Sequence, residues 1–145
     1  MENMGYSYLS AFSCSSADVF ATVLTMTARS ALLRYCLAKP GAWQDEPWDG
    51  DVVVKVGAKI FAFLGSESST TIGLKCGGTR DEADEWLLRF PDDVTVMAYL
   101  GRSGWNSLAV DGTISRVELR EAIDASYAAV VVKLPRRDRP DGRPS

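Results

Sequence analysis

The chain has 145 residues, of which 46% are hydrophobic and 24% charged, a composition typical of a globular protein with one core of ordinary size. Its 16 Lys and Arg residues against 19 Asp and Glu residues give a formal net charge of −3, so the molecule as a whole provides no cationic field for a polyanion. Contact with nucleic acid would therefore require a local cluster of basic side chains.

The residue inventory excludes several kinds of site. The sequence contains no histidine, which removes Ser-His and Cys-His nucleophile pairs and the commonest zinc ligand. Cys14, Cys36 and Cys76 are odd in number and far apart, so neither a disulfide framework nor a zinc site is indicated. With no signal-peptide pattern and no long apolar run, we expect a cytoplasmic protein without a membrane span. We also expect a monomer that is not an enzyme and that holds no metal or cofactor.

The chain divides into three parts by composition. Residues 1–26 contain no Lys or Arg and are rich in Ser, which indicates an appended segment, part helical or disordered. We expect the folded domain to occupy residues 27–135. The Pro-rich residues 136–145 predict a disordered basic tail.

The first part of the domain is predicted to form a helix followed by an edge strand. Thr27 can cap a helix over residues 28–38. The stretch WQDEPW at residues 43–48 is extended, and Pro47 cannot donate a backbone hydrogen bond to a central ladder. We therefore expect this strand at an edge of the sheet.

The next two apolar stretches predict a tight β-hairpin. DVVVKV and KIFAFL are separated by Gly57-Ala58 alone, and glycine at the first central position is what a type II′ turn requires. STTIGLKC, which follows a Gly- and Ser-rich turn, predicts a further strand.

Two capping boxes mark the starts of later helices, at Thr79-Arg-Asp-Glu82 and Ser115-Arg-Val-Glu118. Between these helices, residues 94–100 and 105–110 predict a second hairpin with GRSG as its turn. The element order has too few long crossovers for a parallel sheet. We therefore expect an α+β fold, an antiparallel sheet with helices packed on one face.

Acidic side chains gather in two places, and each has a structural explanation. Asp45, Glu46, Asp49 and Asp51 lack the spacing of a calcium loop and are expected to form a solvated edge and turn. The carboxylates at residues 81–85 are explained by the positive N-terminal end of a helix. Cys76 stands next to Lys75 and before that helix, where it is either a reactive thiol or a small packed residue.

The basic residues on the hairpins are the candidates for a phosphate-facing surface. Lys55 and Lys59 flank the first turn and Arg102 lies in the second, although exposed Lys also serves solubility. The full set of DNA-binding candidates is Lys55, Lys59, Lys75, Arg102, Trp105 and Asn106.

From Arg34 to Arg137 the chain resembles the MmcQ/YjbR-like family, through YCLAKPGAWQDEPW, VVVKVGAKIFAFL, IGLKC, GWNSLAVDG and SYAAVVVKLPRR. The resemblance implies a CyaY-like (frataxin-like) fold and a double-wing motif, two β-hairpins proposed to contact DNA. Fold alone does not fix function.

Three functions therefore stay open at this point. The leading one is a non-enzymatic or regulatory module that contacts double-stranded DNA through two hairpin wings. The alternative is a module that binds a protein partner through a sheet edge or through exposed aromatic residues, with Trp43, Trp48 and Trp105 as the anchors. The third is frataxin-like metal handling by the acidic cluster at residues 45–51.

Overall fold

A computed structural model describes residues 27–140, and the expectations for residues 1–26 and for the last five residues lie outside that range. In chain order the elements are helix α1 (Ala28–Leu37), strands β1 (Ala42–Trp48), β2 (Asp51–Val56), β3 (Lys59–Gly65) and β4 (Thr71–Lys75), helix α2 (Arg80–Arg89), strand β5 (Val94–Val96), a 3₁₀ turn (Gly101–Ser103), strand β6 (Trp105–Ala109), helix α3 (Arg116–Val131) and a second 3₁₀ turn (Arg136–Asp138).

The strands form one sheet of six in the order β1-β2-β3-β4-β6-β5, and every neighbouring pair is antiparallel. The predicted α+β class is therefore confirmed. β1 lies at one edge, as Pro47 predicts, and its register with β2 shifts between Asp45 and Trp48. β5 forms the other edge.

The helices pack on one face of this sheet and enclose the hydrophobic core. α1 contributes Leu32 and Cys36, and α3 contributes Leu119 and Ile123, all buried against strand residues such as Phe61. The apolar face of α2 packs against the same core. The helix–sheet layering expected from the sequence is thus the observed one.

The β2–β3 hairpin, which we name the first wing, has the predicted two-residue turn. Gly57 has a φ of +61°, whereas Ala58 does not have a positive φ, and this is the pattern of a type II′ turn. Leu134, just after α3, lies close to the position that a Cβ on residue 57 would occupy. The turn is therefore packed against the end of α3.

Side-chain caps start all three helices of residues 27–140 where the sequence predicts them. The hydroxyl groups of Thr27, Thr79 and Ser115 accept from the backbone N–H three residues later. The capping box at Ser115 is complete. At α2 the Glu82 carboxylate instead accepts from Gly78, one residue before the predicted partner.

The second hairpin differs from the prediction. β5 ends at Val96, and residues 97–104 form a longer connection instead of a tight GRSG turn. Tyr99 has a φ of +67°, unusual for a residue with a side chain, and Gly101–Ser103 form a 3₁₀ turn that ends at Gly104 with a φ of +92°. We name β5, β6 and this connection the second wing.

The hydroxyl of Ser126, on α3, holds β3 and β4 apart at the end of the sheet that carries both wing tips. These two strands pair only at Ala62–Leu74 and Phe63–Gly73. Beyond that point the Ser126 hydroxyl donates to the Phe61 carbonyl at 2.6 Å and accepts from the Lys75 N–H at 3.0 Å. A helix side chain thus replaces a ladder bond, and a gap opens between the strands.

A buried polar network fastens α2 to the second wing. Asn106 is fully buried; its amide group donates to the Ala83 carbonyl at 2.9 Å and its oxygen accepts from the Arg80 guanidinium at 2.5 Å. Arg80 also donates to the carbonyls of Gly101 and Trp105. One arginine thus bonds two backbone carbonyls of the second wing and its buried asparagine.

The start of the predicted disordered tail is packed against the domain. Residues 136–138 form a 3₁₀ turn, and the Arg139 guanidinium donates to the carbonyls of Val132 and Leu134 at 3.1 and 3.2 Å. Pro140 lies against Gly41. The expectation of disorder is therefore corrected for residues 136–140, because these side chains satisfy carbonyls at the end of α3 and contact the first loop.

We predict that Ser126→Ala destabilises the fold by about 1–3 kcal/mol, because it leaves the partly buried Lys75 N–H and the buried Phe61 carbonyl without the serine hydroxyl. Urea unfolding measures this change. Ser103→Ala, at an exposed serine, is the matched control and should change the free energy of unfolding by less than about 0.5 kcal/mol. Equal effects of the two substitutions would contradict the assigned role of Ser126.

We also predict that Asn106→Leu lowers the free energy of unfolding by about 2–4 kcal/mol, because the substitution removes a charge-assisted hydrogen bond and leaves the Arg80 guanidinium without its side-chain acceptor on β6. Asp84→Ala removes only the half-exposed ion pair that Asp84 makes with Arg80 at 2.8 Å and should cost less than about 1 kcal/mol. Chemical denaturation of both variants tests the difference. The prediction is wrong if the Asp84 variant is the less stable one.

Candidate functional site

The main feature at the wing tips is a cleft of about 430 Å³ above the gap between β3 and β4. We name it the lysine cleft, because four lysines line it: Lys55, Lys59, Lys75 and Lys133. Both wings contribute, with Ala58 from the first and Leu100 from the second. Within residues 27–140 no Asp or Glu lines it.

The remaining walls of the lysine cleft are apolar. Phe63 and Trp105 meet edge to face, with ring centroids 5.3 Å apart and planes at 77°. Ala129 and Val130 of α3 form another wall, and Ile60 completes the lining. The cleft reaches α3 because Ser126 keeps β3 and β4 apart below it.

The four lysines differ in how far their charges are already neutralised. The Lys55 ammonium lies 2.8 Å from an Asp45 carboxylate oxygen and 5.1 Å from the centroid of the Trp43 ring, so its charge is directed towards β1. Lys59 and Lys133 are exposed. Their ammonium groups make no ion pair with a described residue.

Lys75 has the least ordinary environment of the four. Its ammonium donates to the Ser103 carbonyl at 2.5 Å, and the residue as a whole is half-buried. Desolvation lowers the pKa of Lys75, and the nearby positive charge of Lys133 lowers it further, while Glu82 opposes the shift. The site therefore holds two cations close together in a partly dehydrated place.

The structure brings together four of the six candidates predicted from the sequence, since Lys55, Lys59, Lys75 and Trp105 all line the lysine cleft. Trp105 is only 8% exposed, so it is a wall of the cleft and not an exposed anchor. Arg102 is exposed on the second wing, outside the cleft lining.

Asn106 is a correction to the predicted set. Its side chain is fully buried, and both of its polar atoms are bonded to α2. It cannot contact DNA without breaking this network. Its role is to position the second wing.

Sequence reasoning missed three groups at this end of the molecule. Lys133 follows α3 and reaches the cleft only because the end of that helix packs on the first wing. Arg136 and Arg137 lie in the 3₁₀ turn beside Gly57. Tyr99 is fully exposed at the tip of the second wing. Of these, only Arg136 and Arg137 have a signal in the sequence, as part of the basic tail; nothing in the sequence singles out Lys133 or Tyr99.

The described residues give no support to a reactive thiol at Cys76 or to metal binding by the acidic residues 45–51. Burial raises the pKa of the Cys76 thiol to about 11, which disfavours the nucleophilic thiolate. Within residues 27–140 no group of three His, Cys, Asp or Glu side chains is arranged to hold a metal ion. In the acidic stretch, Asp45 pairs with Lys55 and Glu46 accepts from the Gly50 N–H.

Among the helices of residues 27–140, none combines the length and the apolar character needed to cross a bilayer.

Comparison with known proteins places these features in a family. The family model described as YjbR matches residues 37–129. Proteins named "Uncharacterized protein YjbR" from Escherichia coli K12 and O157:H7 are each 33% identical to this chain over 112 residues, which is 76% of the chain and 92% of the relative.

A solved structure shares the fold. The crystal structure of the Deinococcus radiodurans protein DR2400, described by the domain DUF419, has a TM-score of 0.70 and covers 83% of this chain and 93% of its own. Its sequence identity is 21%, so the likeness concerns the fold alone. Together, the match to the family model over more than half of the chain and the 33% identity to relatives aligned over nearly their whole length show that this chain belongs to the YjbR family.

Proposed function

We propose that the protein is a non-enzymatic, cytoplasmic module that contacts the phosphate backbone of duplex DNA with the end of the sheet where its two wings meet. One observation carries the proposal: exposed cations from three separate parts of the chain lie at this end. Lys59 is on the first wing, Arg102 on the second, and Lys133 follows α3. Phosphate oxygens are the natural partners of such groups.

The surrounding residues support a contact with a polyanion at this end. Arg136 and Arg137 are exposed beside the first wing, where the Asp138 carboxylate lies 3.9 Å from the Arg137 guanidinium. Tyr99 adds an exposed aromatic hydroxyl on the second wing. Exposed arginine, lysine and tyrosine side chains are common donors to the DNA backbone.

The non-enzymatic part of the proposal is consistent with the side chains in the lysine cleft. Its ionisable groups are all lysines, and the sequence has no histidine to act as a base near neutral pH. The proposal concerns backbone contact, which carries no sequence information by itself.

We predict that Lys59→Glu combined with Arg102→Glu weakens binding of a fluorescein-labelled duplex by tenfold or more, on the basis of about 1.5–3 kcal/mol for each charge-assisted hydrogen bond. Fluorescence anisotropy at several salt concentrations measures it. The slope of log affinity against log salt should become shallower by about 0.9 for each phosphate that the variant no longer neutralises.

A control with the same change in net charge separates local contact from general repulsion. Arg34→Glu combined with Arg116→Glu alters two exposed arginines on α1 and α3 that do not line the cleft. This variant should retain most of the affinity. Equal weakening in both double variants, or no anisotropy change for the unaltered protein at low salt, would sink the proposal.

A second candidate function, binding of a protein partner, is favoured by the edge strand β1. Trp48 is 59% exposed there, and an exposed tryptophan on a free edge is a typical interface anchor. Trp43 is less free, because its indole N–H donates to the Gly57 carbonyl at 2.9 Å. Trp105, which is buried, no longer belongs to this hypothesis.

For this candidate we predict that Trp48→Ala releases a specifically bound partner in a pull-down, because removal of an anchor residue costs about 2 kcal/mol or more of binding free energy. Val117→Ala, which shortens an exposed apolar side chain on α3, is the control and should retain the partner. Recovery of the same partner by the Trp48 variant at undiminished yield counts against a protein-binding edge.

A further inference from the structure

The lysine cleft has properties that contact with DNA at the wing tips does not require. It extends between β3 and β4 as far as α3, and its volume of about 430 Å³ falls within the usual range for pockets that hold a small molecule. A phosphate backbone on the surface would touch only exposed groups such as Lys59. The apolar and aromatic lining of the cleft therefore indicates a different occupant.

The walls suit a flat apolar body. Phe63 and Trp105 offer ring surfaces, while Ala129 and Val130 leave room beside them because their side chains are short. Aromatic walls of this kind bind rings by offset or edge-to-face contact. Seven of the eleven lining residues are apolar or aromatic, so most of the contact area disfavours a fully hydrated ion.

The charges at the same place suit an anionic group. Lys75 and Lys133 line one cleft with no lining carboxylate between them, and the two like charges disfavour each other. A single anion between them would relieve this repulsion and compensate the partial dehydration of Lys75. The backbone supplies Lys75 with one acceptor, the Ser103 carbonyl, which leaves its other N–H groups for a ligand.

The end of α3 does not cancel this positive field. The carbonyl groups at the end of α3, near Lys133, carry partial negative charge. The Arg139 guanidinium donates hydrogen bonds to two carbonyls there, those of Val132 and Leu134, and so neutralises part of this charge. The same segment adds Arg136 and Arg137 at the rim of the wings. The Arg139 guanidinium therefore offsets the negative end of the helix dipole.

From this combination we infer that the lysine cleft binds a small apolar anion, an aromatic or fused-ring compound with one carboxylate or sulfonate, its rings against Phe63 and Trp105 and its acidic group between Lys75 and Lys133. This ligand site shares Lys133 with the proposed DNA-contacting surface, but it does not rest on DNA binding, because Lys75, Phe63 and Trp105 take no part in that contact.

The test uses 8-anilinonaphthalene-1-sulfonate, a fluorescent fused-ring sulfonate, and the full chain. We expect saturable binding with one site per protein. Lys75→Met and Lys133→Met preserve the apolar stems and remove the charges, and each should raise the Kd of the probe about tenfold. Lys133 is exposed, so its variant stays informative even if Lys75→Met disturbs folding.

Two controls separate recognition of the charge from general stickiness. N-phenyl-1-naphthylamine, which has the same rings without the sulfonate, should bind both Met variants as it binds the unaltered protein. Arg116→Met, which removes a charge at the start of α3, should leave the Kd of the sulfonate unchanged.

A variant that fills the cleft tests the location. Ala129→Phe places a ring in the space beside Trp105 and should abolish binding of both probes, while circular dichroism reports that the fold is retained. The inference is overturned if the sulfonate fails to saturate at one site, if its Kd is the same for the unaltered protein and the Lys133 variant, or if the folded Ala129 variant binds it equally well.

Discussion

The position of one serine hydroxyl determines the shape of the end of the sheet that carries both wing tips. The Ser126 hydroxyl, on α3, donates to the Phe61 carbonyl and accepts from the Lys75 N–H. Both backbone groups therefore keep a hydrogen-bond partner although β3 and β4 have separated. A continued ladder would have closed the sheet and left Lys75 on a flat surface. Because the hydroxyl is donor and acceptor at once, the strands can part without a buried unpaired group, and the lysine cleft is the space that results.

The second wing depends on a separate set of bonds. Within its connection, Tyr99 adopts a φ that residues with side chains rarely adopt. The Arg80 guanidinium holds this connection by the carbonyls of Gly101 and Trp105, and Asn106 orients that guanidinium from inside the core. The exposed Arg102 therefore lies between two anchored points, the Gly101 carbonyl bonded to Arg80 and the Ser103 carbonyl bonded to Lys75.

Local patterns predicted much of the fold, because the forces that set those parts are themselves local. The type II′ turn at Gly57, the caps at Thr27 and Ser115, and the edge position of Pro47 each follow from the chemistry of a few neighbouring residues. Asn106 was misjudged because its neighbours in sequence suggest an exposed strand end, whereas its bonding partners are more than twenty residues away on α2. The contribution of Lys133 to the cleft and the shape of residues 97–104 likewise depend on contacts between distant elements.

Net charge and local charge act over different distances, and this bears on which ligand the lysine cleft can hold firmly. At physiological salt the screening length is about 8 Å, so a long polyanion near the wing tips still interacts with carboxylates close to them, such as Asp138 beside the first wing. A small anion inside the cleft meets Lys75 where water is partly excluded and screening is weaker. The exposed Lys59 and Arg102, by contrast, act through solvent. An overall charge of −3 therefore limits a surface contact with DNA more than it limits binding of a single anion between Lys75 and Lys133.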